Sequence, residues 1–73
     1  MDTVGTRLKK ARMDAMFSRP EVEIELGLPP GYIGKLECNE VLPIVGLVKQ
    51  LAELYRVDMN WLCMIGEKMN DYD

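Results

Sequence analysis

Residues 17–37 read FSRPEVEIELGLPPGYIGKLE, and the punctuation of this stretch constrains the fold more than any other feature of the chain. Ser18 followed three residues later by Glu21 is a capping box, and Pro20 is tolerated in a first turn. Val22 and Leu26 stand four apart, and Gly27 is a good helix stop. A short helix over 19–26 follows from these signals. Pro30 suits a first helical position, and Tyr32, Ile33 and Leu36 supply an inner face, which predicts a second helix over 30–38. Two helices joined by so short a glycine-containing turn form a helix-turn-helix unit.

The flanking sequence supplies three more helices. Val4, Leu8, Ala11 and Ala15 recur at helical spacing and predict a helix over 3–16. After the loop CNEVLP, Ile44, Leu47, Val48, Leu51 and Tyr55 predict one over 44–55. Asp58 can cap a fifth over 58–65, which Gly66 stops. No stretch alternates with period two, so the expected fold is all-α, with one domain over 1–67 and a polar tail over 68–73. The chain has 73 residues, of which 48% are apolar. That suffices for one small globular core.

Several function classes are disfavoured. Cys38 and Cys63 form no CxxC pair, and the chain contains no histidine. A zinc site lacks ligands, and two reduced thiols in a cytoplasmic protein are the simpler expectation. The first residues are charged from the start, unlike a signal peptide, and nothing approaches the ~20 apolar residues of a membrane span. A nucleophile-base pair would need a cysteine without histidine. Glu21, Glu23 and Glu25 read as a solvated face. The chain is therefore expected to be no enzyme, with no cofactor, no metal and no small-molecule ligand.

Net charge is −3, which argues mildly against nucleic acid, where affinity comes largely from neutralising phosphates. The distribution matters more. Residues 1–19 carry five basic side chains (Arg7, Lys9, Lys10, Arg12 and Arg19) against Asp2 and Asp14. Residues 20–40 carry Lys35 against five glutamates. The chain is a basic head on an acidic body.

GTRLKKAR, the helix-turn-helix stretch, LVKQLAELYRVDMNWL and the closing glycine resemble the Cro/C1-type (XRE-like) helix-turn-helix family of phage and bacterial regulators. The resemblance covers residues 5 to about 67. Glycine-apolar after helix two, YI..LE in helix three, LA.LY.V in helix four and D.NWL in helix five all fall in family order and spacing. It implies a compact five-helix, lambda-repressor-like domain that binds operator DNA as a symmetric homodimer, with the third helix in the major groove. It also implies roles for particular residues. Arg19 takes the phosphate-facing slot that opens helix two. Pro30, Gly31 and Gly34 take base-reading slots, with Lys35 one position further along. Lys9 and Lys10 are further phosphate candidates. Arg12 and Glu37 match an ion pair between helices one and three. Met59, Cys63 and Met64 lie where the family places its dimer contact.

Several positions depart from the family pattern. Glu23 replaces a small inner residue, so either it snorkels past the contact or helix two rotates to turn Ile24 inward. The loop after helix three offers Cys38, Asn39 and Glu40 where basic residues are usual. Gly31 and Gly34 each cost a helix about 1 kcal/mol relative to alanine, which fits either drift or close approach to DNA with shape readout. Lys35 is the only long donor on the reading helix, and its bland alternative is a solvated lysine. Trp61, Tyr32 and Tyr55 suit a core better than a stacking platform. The methionines, Met13 and Met16 among them, suit core or interface equally. The implied function is a transcriptional regulator of repressor type. The alternative is a protein-interaction module that keeps the scaffold and has weak or lost DNA binding.

Overall fold

The computed structural model describes residues 2–63. The predicted domain end at 67, the tail over 68–73, Met64 and the stop at Gly66 lie outside the described residues. Four helices are complete: α1 (Val4–Asp14), α2 (Arg19–Leu26), α3 (Tyr32–Glu37) and α4 (Val45–Tyr55). A fifth, α5, opens at 59 and is helical through 63. No strand occurs among the described residues, and the fold is all-α.

Helices α1, α2 and α5 start where a side chain satisfies a free N–H group, α3 follows a turn, and α4 opens from extended Ile44 with no side-chain cap. Thr3 caps α1, accepting from Thr6 N at 3.1 Å, while the Thr6 hydroxyl accepts from Thr3 N at 2.8 Å. The capping box of α2 forms as its spacing predicts. Ser18 Oγ accepts from Glu21 N, and Glu21 Oε1 accepts from Ser18 N at 2.7 Å. That backbone bond, with the Ser18 hydroxyl, holds the Glu21 carboxyl below its ordinary pKa. Asp58 opens α5, its Oδ1 accepting from Asn60 N.

The third helix is shorter than the expected 30–38. Tyr32 N donates to Pro29 O at 3.1 Å, and Gly31 has φ 87° and ψ −8°. Those angles, with proline before them, define a type II turn, Pro29-Pro30-Gly31-Tyr32. Pro30 and Gly31 therefore precede α3. Glycine at 31 serves a left-handed backbone, and only Gly34 of the two lies inside a helix.

The first helix also ends early, at Asp14 and not at 16. All four complete helices close through a left-handed residue, in turn Met16, Gly27, Asn39 and Arg56. In each case the following N–H reaches back five residues, as in Phe17 N to Arg12 O at 3.1 Å. Met16 is 87% exposed at φ 65°, so its side chain gains no packing there. Glycine at this position removes the strain and gives back part of it as unfolded-chain entropy. Met16→Gly is expected to raise stability by about 0.5–1 kcal/mol, or roughly 3–6 °C in Tm. A scanning calorimetry trace at or below wild type would contradict this.

The core comprises Leu8, Ala11, Val22, Ile33, Leu36, Leu47, Val48, Leu51, Ala52, Tyr55 and Leu62. Tyr55 is core, and Tyr32 and Trp61 pack half-buried against it. Burial raises the Tyr55 phenol well above its ordinary pKa, and the Glu37 charge adds to the effect. Gly5 brings α1 against the end of α3. A Cβ there would lie 2.6 Å from Glu37 O and 2.7 Å from Leu36 O. Asn39 spans the same junction, accepting from Gly5 N at 3.1 Å and donating to Thr3 Oγ1 at 2.9 Å. Arg7 clasps α5. Its guanidinium stacks 5.0 Å from the Trp61 ring centroid, donates to Trp61 O and pairs with Asp2.

Candidate nucleic-acid interface

A buried carboxylate organises the junction of α1, α2 and α3. Glu37, at the end of α3, is almost wholly enclosed. Arg12 of α1 donates to it twice, from Nε to Oε2 at 2.6 Å and from Nη2 to Oε1 at 3.3 Å. The remaining Arg12 nitrogen donates to Phe17 O at 2.8 Å, so every nitrogen of this buried guanidinium has an acceptor. The Glu37 bond also holds the Arg12 guanidinium in its charged form, above its ordinary pKa. The two residues that the resemblance pairs are thus brought together.

Arg19 also reaches Glu37, with Nε to Oε1 at 3.0 Å. One carboxylate facing two guanidinium groups leaves a net positive charge at the junction. The Arg19 side chain is 44% exposed and keeps both Nη groups clear of protein acceptors among the described residues. It runs over α3 at Gly34. A Cβ on that glycine would stand 3.8 Å from Arg19 Nη1 and 4.0 Å from Cδ. Gly34 therefore leaves bare backbone under the arginine. Lys35 is exposed beside it on the same helix.

Glu23 resolves differently from both expectations. It is buried at 7% exposure, and Ile24 is 82% exposed, so the carboxylate neither snorkels outward nor yields its place to Ile24. Its Oε2 accepts from Ile33 N at 3.0 Å. Gly31 has no side chain with which to cap α3, and Glu23 supplies the missing acceptor from the neighbouring helix. The glutamate in place of a small residue and the glycine in place of a capping one thus compensate each other.

The other candidates are dispersed. Pro30 and Gly31 are exposed in the turn that leads into α3. Lys9 and Lys10 are exposed on α1, where Lys10 pairs with Asp14 at 3.1 Å. Met59 is half-buried against the core and Cys63 is exposed, and both line an apolar groove of about 280 Å³ with Val4, Leu42, Pro43, Val45 and Val48. Leu42, Ile44 and Val45 are each more than 70% exposed at the start of α4.

Sequence reasoning missed Gly5, Arg7, Asn39 and the capping role of Glu23. A glycine in a first helical turn and an asparagine after a helix end were available signals for a close approach and a left-handed residue. No cluster of metal-ligating side chains occurs among the described residues, and none of their helices is long and apolar enough to cross a membrane. In comparisons with known proteins, no family model and no curated sequence matches the chain.

Proposed function

We propose that this chain is a DNA-binding regulator of the Cro/C1 helix-turn-helix type, acting as a repressor, with α3 presented to the major groove of an operator. The observation that carries the reading is the Arg19–Glu37–Arg12 junction. It locks α3 to α1 and α2 and leaves one guanidinium edge facing outward beside exposed Lys35. A rigidly held helix flanked by cationic donors is what groove recognition needs. The apolar groove at the start of α4 and α5, with Leu42, Ile44 and Val45 exposed, supports a twofold homodimer, since a twofold operator calls for a twofold protein.

Few side chains can reach bases, so backbone contacts carry most of the affinity. Arg19, Lys35 and Lys9 or Lys10 are the cationic partners. With roughly two to three such contacts per subunit, a dimer should show a slope of log K against log salt of about −4 to −5. Fluorescence polarisation with a random-sequence duplex measures this directly. Binding too weak to detect at about 50 mM salt, with Arg19→Ala and Lys35→Ala making no difference, would overturn the reading. A second reading, a protein-docking module on the same scaffold, is supported by the exposed acidic residues Glu21, Glu25 and Glu40 and by the exposed apolar start of α4.

A further inference from the structure

The outward face of α3 is nearly empty of its own reading side chains. Pro30 and Gly31 sit in the preceding turn, and Gly34 has none to offer. The space over Gly34 is occupied by a side chain from another helix, that of Arg19. A guanidinium has two bidentate edges, one formed by Nε with an Nη and one by the two Nη groups. Glu37 holds Nε at 3.0 Å. The Nη1–Nη2 edge remains, presenting parallel N–H donors from a side chain 44% exposed.

Guanine displays O6 and N7 side by side in the major groove, a spacing that an arginine fork matches. Tethering at Nε and support along α3 remove much of the rotamer freedom that a free arginine would lose on contact. Lys35, a point charge on a flexible stem, lacks both advantages. We propose that Arg19, lying across Gly34 and buttressed by Glu37, is the principal base-reading residue of this protein and selects a guanine. It thereby supplies from α2 the recognition that α3 lacks. This inference rests on the DNA-binding reading and reassigns Arg19 from phosphate contact to sequence readout.

Selection of bound sequences from a randomised duplex pool, followed by titration of the winners, tests the assignment with the full chain. Wild type should enrich one guanine per half-site and discriminate against its replacement by roughly tenfold or more. Arg19→Ala and Arg19→Lys should both lose preference at that one position and keep the remaining preferences. The lysine variant matters because it preserves the charge while removing the fork and its Nε tether to Glu37. Melting curves of both variants close to wild type would show that the fold is intact. Equal weakening on all sequences, with a flatter salt slope, would mean a phosphate contact and overturn the inference while leaving DNA binding in place. An unchanged guanine preference in Arg19→Lys would overturn it equally. No binding by wild type to any duplex would overturn both this inference and the function on which it rests.

Discussion

Glu37→Ala is expected to melt at least about 12 °C below the wild-type chain, the largest loss of any single substitution considered. The alanine leaves Arg12, 8% exposed, with only Phe17 O as a partner. Breaking a buried pair from one side costs about 3–5 kcal/mol, because the surviving charge is stranded. A chain of this length has roughly 4–11 kcal/mol of stability in all, so the variant approaches global unfolding at physiological temperature. The two arginines should then behave unequally. Arg12→Ala leaves Glu37 with Arg19 alone, a half-exposed partner, and should cost less than Glu37→Ala but more than Arg19→Ala. Arg19→Ala removes a half-exposed partner and should cost at most about 1 kcal/mol. Replacing Arg12 and Glu37 together by methionine should recover most of the loss, since an apolar pair needs no counter-charge. Urea denaturation of the four variants checks the order. Glu37→Ala melting within two or three degrees of wild type would show that the carboxylate does not hold the helices together.

Gly5→Ala should cost about 2–3 kcal/mol net, or roughly 10–20 °C in Tm. The new methyl would meet Glu37 O, Leu36 O and Asn39 Oδ1, each at 2.7 Å or less. Two of the three are backbone oxygens at the end of a helix and cannot swing aside. Alanine gains about 1 kcal/mol of helix propensity, which offsets only part of the overpacking. The displacement would also strain the Gly5 N–Asn39 bond that ties α1 to the α3 terminus. Gly34→Ala is the internal contrast, because its methyl would meet Arg19 at ordinary contact distance. If Gly5→Ala is as stable as wild type, the α1–α3 approach is looser than these distances imply.

What was legible in the sequence was local. The capping box at Ser18 and Glu21, the stop at Gly27 and the apolar spacing of α4 depend on residues within one or two turns, and all three form as read. The Pro29-Pro30-Gly31 stretch misled because proline serves equally at a first helical position and at the second position of a type II turn. The φ of glycine decides between them, and sequence does not display it. Met16 misled for the opposite reason. It is a good helix former, but the chain needs a left-handed turn there to bring Phe17 O to Arg12. Glu23 was illegible in kind. Its partner is a backbone N–H ten residues away, exposed only because Gly31 cannot cap its own helix. The resemblance indicated the Arg12–Glu37 pair, whereas the third member, Arg19, emerges only from the way α2 crosses α3.

DNA binding through α2 and α3 is tested most directly by a heteronuclear NMR titration of the chain with a short duplex at low salt, read residue by residue. Amide shifts should concentrate on Arg19, Gly31, Gly34 and Lys35, the start of α2 and the exposed front of α3, and should weaken steeply as salt is added. Leu42, Ile44, Val45 and Cys63 should move little beyond any change caused by dimerisation. A spectrum unchanged by duplex, or shifts confined to the apolar start of α4 with none on Arg19, Gly34 and Lys35, would contradict it.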